Sequence, residues 1–438
     1  MPSDRPSWRV PRAPFVFVLG LSLAAGAAVF LDGAAQALSG AFRGRVALGN
    51  AEISMAERAP LTPREKGAAQ AAWRYFEAHT RPETGFVDAV ADFPSATLWD
   101  QGSYLLALVS ARRLGLVSQG DFDARVHAFV ASLAELELYE GLLPNKVYDT
   151  QRLTMVNYAN EAVAGGVGWS ALDIARLLMG LRVIEKHFPQ HGAEIRDVLA
   201  GWDLASMAQK GELIGVTRAA GAPGLRLQEG RIGYEQYGAR AAALWGLDVV
   251  RAMSAERIVA WRDVEGVEIA TDLRRASNFG AITPVLSEPY LLLALELGLD
   301  AESRALAERV FQAQKARYAA QGIITMVSED HLDEVPHFAY SSVSANGRDW
   351  AVIAEDGSFH EAKRTLSTKA AFGWAAIFDA PYAHMAREEV IGLAGAEGFP
   401  AGIYERDGRT NTALALNTNA VILEALHYQV FGPLWSLR

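Results

Sequence analysis

The sequence Gly85-Phe86-Val87 opens a long loop, and the same pattern of a glycine before apolar residues recurs at Gly141-Leu142-Leu143, Gly211-Glu212-Leu213-Ile214, Gly266-Val267, Gly322-Ile323-Ile324 and Gly398-Phe399. Each loop leads into an amphipathic helix, a short turn and a second helix. The first outer helix is predicted at about Pro63–His79, with a proline in its first turn, and a short outer helix is predicted near Ala255–Trp261. A unit that recurs every 55 to 76 residues indicates a repeated supersecondary module. Six helix pairs can close into a ring, so the sequence predicts an all-α (α/α)6 toroid with six inner and six outer helices.

The long loops of this arrangement all run from an outer helix to the next inner helix. They therefore lie at the N-terminal ends of the inner helices, on one face of the ring. Loops of this length in a compact domain are usually functional. We therefore expect the binding site on the loop face.

The composition limits the classes of partner. The chain has 438 residues, a formal net charge of -10 and no cysteine, and half of its residues are hydrophobic. A chain of this kind can bury a large core. The acidic balance, without a basic stretch interleaved with aromatic residues, argues against nucleic acid as a partner. The absence of cysteine excludes disulfides and thiolate sites.

The N-terminus carries a targeting signal. Arg5, Arg9 and Arg12 precede an apolar run from Ala13 to Leu31 that is long enough to span a bilayer. Two interpretations remain open: a signal peptide cleaved near Ala35-Gln36-Ala37, or an uncleaved anchor in the inner membrane. Both place the rest of the chain in the periplasm. The expected division is 1–37 as signal peptide or anchor, 38–60 as linker and 61–438 as the toroid domain.

Carboxylates and aromatic residues stand together at the starts of the inner helices. The acids are Asp100, Asp173, Glu235 and Glu288, and the flanking aromatic residues are Trp99, Trp169, Tyr234, Tyr237 and Tyr290. Acids at helix N-termini are often explained by the helix dipole and by capping alone. The aromatic neighbours favour a sugar site, where rings stack on the sugar and carboxylates bind its hydroxyls.

Cleavage of a glycosidic bond normally needs two carboxyl groups, one kept protonated and one ionised. Glu235 stands between two tyrosines, and we predict that it is the general acid. Asp100 is the first choice for the base, and Glu288 is the second. Asp173 follows Ser170 by three residues, as in a capping box, and is either structural or in contact with the sugar.

Two further clusters supply candidate ligands. Ser328–His337 contains Glu329, Asp330 and Asp333, which could bind Ca²⁺, contact the substrate or simply form a hydrated loop. No other metal or cofactor is expected. The remaining candidates for substrate binding are Arg231, Glu405, Asn417 and Asn419, although asparagines at a helix start also serve as caps.

Long motifs at these positions resemble the bacterial domain of unknown function 3131 family, from about Ala71 to Leu434. The motifs are Thr97-Leu98-Trp99-Asp100-Gln101-Gly102-Ser103-Tyr104-Leu105, Gly168-Trp169-Ser170-Ala171-Leu172-Asp173, Gln228-Glu229-Gly230-Arg231-Ile232-Gly233-Tyr234-Glu235-Gln236-Tyr237, Ser328-Glu329-Asp330-His331, Ser367-Thr368-Lys369-Ala370-Ala371 and Asn417-Thr418-Asn419-Ala420-Val421-Ile422-Leu423-Glu424-Ala425-Leu426. The resemblance implies a bacterial envelope protein with a toroid similar to glucoamylase-like and β-1,2-glucanase domains. The resemblance does not assign catalytic roles to any residues of this chain.

The sequence predicts a periplasmic or envelope-associated glycoside hydrolase that acts on a glucan-type polysaccharide with two carboxylates and inverts the anomeric carbon. The alternative is a non-catalytic glycan-binding protein of a polysaccharide synthesis or export system. A lyase or epimerase is a third class, and it would favour Tyr, His and Arg over paired carboxylates.

Overall fold

Eleven α-helices carry the fold in the computed structural model, which describes residues 52–219, 222–274 and 281–435. They are α1 (Pro63–His79), α2 (Leu98–Arg113), α3 (Gln119–Glu135), α4 (Ala171–His187), α5 (Gly192–Leu199), α6 (Tyr234–Ala243), α7 (Glu288–Leu292), α8 (Ala301–Gln321), α9 (Thr368–Ile377), α10 (Pro381–Val390) and α11 (Leu416–Phe431). Helix α7 is followed directly by a π-helix, Leu293–Leu297. Thr62 and Glu65 form a capping box that starts α1, with Pro63 in the first turn.

Six of these helices form a closed ring. In order around the ring they are α2, α4, α6, α7, α9 and α11, and α11 packs again on α2. The outer helices α1, α3, α5, α8 and α10 each pack against the ring. Because the ring helices contact both neighbours and the outer layer, nearly all side chains of α2, α9 and α11 are buried.

Short strands in the long loops correct the all-α prediction. The described residues contain eighteen strands: β1 (Ser95–Thr97), β2 (Leu138–Tyr139), β3 (Leu143–Pro144), β4 (Val147–Asp149), β5 (Met155–Val156), β6 (Ala208–Gln209), β7 (Glu212–Thr217), β8 (Leu225–Gln228), β9 (Val259–Val264), β10 (Val267–Asp272), β11 (Glu329–His331), β12 (Phe338–Ser341), β13 (Ser344–Ala345), β14 (Arg348–Asp349), β15 (Val352–Ile353), β16 (Thr365–Ser367), β17 (Pro400–Tyr404) and β18 (Thr410–Leu414). All their pairings are antiparallel, in sheets of two or three strands.

The third repeat lacks the outer helix that the sequence predicts near Ala255–Trp261. Within the described residues a β-hairpin, β9 and β10, follows α6 instead and packs on α8. Glu265 and Gly266 form its two-residue turn with φ of 53° and 77°, the backbone that a tight hairpin requires. Gly266 is therefore a turn glycine, and five outer helices accompany six inner ones in the part of the chain described.

The closest helix pair in the ring is α2 and α4. A Cβ placed on Gly102 would lie 2.6 Å from the backbone carbon of Arg176, and one on Gly180 would lie 2.8 Å from Leu105 Cβ. Both glycines thus let the two backbones approach closely. This close packing sets the first turns of α2 and α4 side by side at the loop face.

The predicted targeting segment, residues 1–37, and most of the predicted linker lie outside the described residues. Among residues 52–219, 222–274 and 281–435, none of the helices combines the length and apolar character needed to cross a bilayer.

Candidate functional site

A cleft of about 1020 Å³ opens at the N-terminal ends of the ring helices. Residues from all six long loops line it, which confirms the prediction that these loops share one face. The first turns of α2, α4, α6, α9 and α11 supply lining residues as well. The carboxylates that line the cleft are Asp100, Asp173, Glu229, Glu329, Asp330 and Glu355.

Asp173 and Glu229 form one wall at the start of α4. Glu229 accepts hydrogen bonds from the Ser170 hydroxyl at 2.7 Å and from the backbone N–H of Ala171 at 2.5 Å. These donors favour its ionised form, as does Lys146, although burial raises the pKa of Glu229. Burial and the neighbouring Glu229 carboxylate raise the pKa of Asp173 to about 8. Asp173 therefore carries a proton at neutral pH.

Asp100 lies in the same region, at the start of α2. Its Oδ2 accepts hydrogen bonds from the Thr97 N–H at 3.0 Å and from the Thr97 hydroxyl at 2.7 Å, so Asp100 completes a capping box. Burial raises the pKa of Asp100, while the Thr97 donors and the cations Arg176 and Lys369 oppose that rise. The capping role uses one carboxylate oxygen and leaves Oδ1 for a ligand.

Glu329 and Asp330, both predicted as substrate contacts, line the cleft on β11. The Tyr234 hydroxyl donates to Glu329 Oε2 at 2.5 Å, and Lys369 lies nearby. Burial raises the pKa of Glu329, and it raises that of Asp330 to about 7. Lys369 is paired with Glu288, so one cation serves three carboxyl groups at this wall.

The predicted general acid Glu235 does not line the cleft. It is ion-paired with Arg274, which also binds Asp272 at the end of β10. Burial raises the pKa of Glu235, but the guanidinium group opposes that rise and occupies the carboxylate. Glu288 is also outside the lining: it is fully buried and paired with Lys369. Both positions are better suited to holding the structure than to reaching a substrate.

The predicted aromatic residues divide into two groups. Trp99 and Tyr234 line the cleft, and Trp99 Nε1 has no hydrogen-bond partner among the described residues. Trp169, Tyr237 and Tyr290 are at most 1% exposed and lie in the core behind the cleft. The Trp169 Nε1 donates to the Ile214 carbonyl at 3.0 Å, which is a structural contact.

A buried ionic network stands beneath Trp99, on the axis of the ring. The Arg176 guanidinium lies 4.9 Å from the Trp99 ring and donates to Ser103 Oγ at 2.7 Å, Glu296 Oε1 at 2.6 Å and Glu424 Oε1 at 3.2 Å. The π-helical turn after α7 carries Glu296 into this network. The Arg176 guanidinium therefore packs over the ring of a residue that also lines the cleft.

Asn417 connects this network to the Glu329 wall. Its Oδ1 lies 3.3 Å from Ser103 Oγ, and its Nδ2 donates to Glu288 Oε1 at 2.6 Å. Asn417 also lines the cleft, as predicted. Polar residues from all six ring helices thus support the floor of the site.

Other predicted ligands have structural partners. Glu405 pairs with Arg317 and Arg364, and Asn419 Oδ1 accepts from the Phe399 N–H at 2.8 Å. Neither residue lines the cleft. Arg231 does line it, and its Nη1 donates to Gln228 Oε1 at 2.8 Å.

The predicted calcium ligands do not converge. Glu329 and Asp330 face the cleft, whereas Asp333 is paired with Arg409, which lowers its pKa. Within the described ranges no three His, Cys, Asp or Glu residues lie close enough together to hold a metal ion.

Several lining residues were not among the predicted ligands. They include Phe93, Lys146, Tyr158, Glu229, Tyr340, Glu355 and Lys369. Glu229 and Lys369 lie inside the motifs that carry the family resemblance, so those motifs could have identified them as candidate ligands. Tyr158 and Glu355 lie in long loops without such a signal, and only the folded loops bring them to the cleft.

The cleft brings together several carboxyl groups whose pKa values burial raises, among them Asp173, and the aromatic rings of Trp99 and Tyr234. This combination can bind a sugar chain and transfer a proton to a leaving oxygen. Among the described residues, the lysine and arginine side chains that line the cleft are Lys146, Arg231 and Lys369, and Lys369 is paired with Glu288.

The chain belongs to the family described as protein of unknown function (DUF3131), whose model matches residues 67–432. None of the curated proteins compared with the chain matches it.

Solved structures with the same fold include two kinds of carbohydrate-active protein. The endo-β-1,2-glucanase of Chitinophaga pinensis, in complex with sophorotriose and glucose, has a TM-score of 0.61 and 11% identity over 85% of this chain and 93% of its own. A glucoamylase-like protein of Bacteroides caccae has a TM-score of 0.59 and 13% identity, and the match covers 85% of this chain and 94% of its own. The endo-β-1,2-glucanase of Talaromyces funiculosus, in complex with sophorose, has a TM-score of 0.54 and 11% identity, and the match covers 84% of each chain.

Proposed function

We propose that this member of the DUF3131 family is a glycoside hydrolase that cleaves a glucan-type polysaccharide in the acidic cleft of an (α/α)6-type ring. The observation that carries the proposal is Asp173, a cleft-lining carboxyl group whose pKa of about 8 keeps it protonated at neutral pH. Glycosidases need such a group to protonate the leaving oxygen.

In this proposal Asp173 replaces Glu235 as the general acid. Asp173 lines the cleft, and its carboxyl forms no ion pair with any residue that the structure describes, whereas Glu235 is held by Arg274 outside the lining. A carboxylate held by a guanidinium group is stabilised in its ionised form and is a poor proton donor. The adjacent Glu229 carboxylate favours the protonated form of Asp173.

Asp100 remains the proposed base. It lines the cleft beside Trp99, and Thr97 holds one of its oxygens, so the other can orient a water molecule. Burial raises the pKa of Asp100, and the Thr97 donors with the cations Arg176 and Lys369 oppose that rise. Attack of that water on the anomeric carbon, with proton transfer from Asp173 to the leaving oxygen, would invert the anomeric configuration.

The substrate class is inferred from two sources. The solved structures that share the fold include two endo-β-1,2-glucanases, one in complex with sophorotriose and glucose and one with sophorose. The cleft offers carboxylates and aromatic rings, which suit the hydroxyls and C–H faces of a neutral sugar chain. We therefore propose a neutral glucan, with β-1,2-linked glucan as the first substrate to assay.

The test compares two isosteric substitutions. Asp173→Asn removes the transferable proton, and a general acid typically contributes about 10²–10⁴-fold, so kcat should fall by that factor while Tm stays close to the wild-type value. Glu235→Gln is the matched control, because it changes a buried carboxylate outside the cleft. It should lose stability with the Arg274 ion pair but keep its kcat when folded.

The outcomes separate the alternatives. Unchanged cleavage by the Asp173→Asn variant, with a loss in Glu235→Gln, would return the acid role to Glu235. Binding of glucans by calorimetry without any cleavage by the wild-type chain would favour the glycan-binding protein instead.

A further inference from the structure

Large apolar side chains gather at the mouth of the cleft. Seven such side chains are exposed among the described residues, and five lie in the cleft lining or within two residues of it along the chain: Phe93, Tyr158, Leu225, Leu227 and Val335. Phe93, Tyr158 and Leu227 line the cleft, and Val335 precedes the lining residue Pro336. The other two, Val250 and Ile323, are not part of the lining.

The hairpin of β7 and β8 presents two of these side chains side by side. Leu225 pairs with Thr217, and Leu227 pairs with Gly215. Directly opposite residues of an antiparallel pair share a face of the sheet, and both Thr217 and Gly215 line the cleft. Leu225 and Leu227 therefore face the cleft, although they are 60% and 45% exposed.

Sugar binding alone does not account for these leucines. Phe93 and Tyr158 have aromatic faces on which a sugar can stack, whereas an exposed leucine pair offers only aliphatic surface. Exposed apolar side chains that cluster in one place usually mark an interaction site, because single ones scatter over a protein surface. The leucine face is continuous with the cleft, so its occupant is expected to be joined to the glycan that the cleft binds.

We propose that the natural glycan carries an aliphatic group, such as an acyl or isoprenoid chain, which packs on Leu225 and Leu227 while the sugars occupy the cleft. The inference rests on the proposed function, because it takes the cleft to be a glycan site. It adds that the substrate is amphiphilic and that the β7–β8 hairpin recognises its apolar part.

Calorimetry with the full chain tests the inference without any need for cleavage. The probes are methyl β-glucoside and octyl β-glucoside, the latter below its micelle concentration. Each methylene group removed from water adds about fourfold in affinity, so the octyl compound should bind the wild-type chain roughly tenfold or more tightly than the methyl compound. A β-1,2-linked glucan oligosaccharide should compete with it.

Two variants locate the effect. Leu225→Ser with Leu227→Ser should abolish the octyl preference, so that the affinities for octyl β-glucoside and methyl β-glucoside become equal. Val250→Ser is the matched control, because Val250 is 68% exposed but does not line the cleft. It should keep the full octyl preference, and Tm values of all variants should agree closely.

Equal affinity of the two glucosides for the wild-type chain would overturn the inference. Sedimentation of the chain with neutral phosphatidylcholine vesicles through Leu225 and Leu227, without any sugar, would overturn it in favour of membrane binding. Glucan cleavage without an octyl preference would refute this inference alone. An octyl preference without cleavage of any glucan would refute hydrolysis and leave the aliphatic site in place.

Discussion

The pKa of Asp173 is raised by burial and by one neighbouring carboxylate. Burial in the cleft wall disfavours its charged form, and Glu229 adds a second carboxylate close by. Glu229 itself is stabilised as an anion by Ser170 and by the N–H groups at the start of α4. Burial raises the pKa of both carboxyl groups, and the hydrogen-bond donors at Glu229 oppose that rise.

The pH dependence of the reaction follows from this pKa. A general acid must be protonated, and Asp173 loses its proton as the pH rises through about 8. We expect kcat/KM to be constant just below that pH and to fall about tenfold per pH unit above it. The measurement is kcat/KM from pH 5 to pH 10 on a neutral glucan.

A second variant shows which carboxyl group causes the decline. Burial also raises the pKa of Glu329, so Glu329→Gln is the control. Its rate is expected to be lower, because Glu329 lines the cleft, but the decline above about pH 8 should persist. Disappearance of the decline in this variant would transfer the acid role from Asp173 to Glu329.

At the scale of elements, the contact between α2 and α4 fixes the loop face where the proposed acid and base stand. Gly102 is placed so that an added Cβ would lie 2.6 Å from the backbone of Arg176, and backbone cannot move aside as a flexible side chain can. The same contact sets Asp100 and Asp173 next to each other, because each is the third residue of its helix. A change in helix spacing therefore reaches the site directly.

Two glycine-to-alanine substitutions test this packing. Gly102→Ala overpacks the contact and should lower the free energy of unfolding by about 1–3 kcal/mol or more, and kcat should fall as α2 shifts. Gly67→Ala is the control in α1, where an added Cβ meets nothing within 4 Å. It should raise the free energy of unfolding by about 0.5–1 kcal/mol, since alanine is the better helix former.

Urea unfolding measures both variants, and circular dichroism checks that each keeps its helix content. A Gly102→Ala variant as stable and as active as the wild type would mean that the two helices can separate without cost. That outcome would contradict the rigid contact between α2 and α4.

At the scale of the whole molecule, the proposed cellular location of the protein rests on the N-terminal sequence. Arg5, Arg9 and Arg12 before the apolar run motivate the proposal that the ring lies in the periplasm. An alkaline phosphatase fused after Arg438 should be active, because that enzyme folds only outside the cytoplasm. The control fusion lacks residues 1–37 and should be inactive.

A cytoplasmic reporter provides the opposite test. A β-galactosidase fused at the same position should be inactive with the full N-terminus and active without residues 1–37. Activity of this reporter in the full-length fusion would refute the proposed location.

The sequence by itself determined the helices and the face that binds. Caps, proline positions and apolar periodicity are local signals, and they predicted helices such as Pro63–His79 with the bounds that the structure has. They also predicted that the long loops share one face, with Trp99, Asp100 and Asp173 at helix starts there. These features follow from the sequence because neighbours along the chain produce them.

Only the tertiary structure decided which carboxylates reach the cleft. Glu235 and Asp173 both start ring helices, but Arg274 from a distant hairpin holds the first, and Glu229 from another loop leaves the second protonated. Successive side chains on a helix point about 100° apart. Glu235 is the second residue of its helix and Asp173 is the third, so the two side chains leave their helices in different directions. The hairpin at Glu265-Gly266 likewise depended on packing against α8, which a local helix pattern does not reveal.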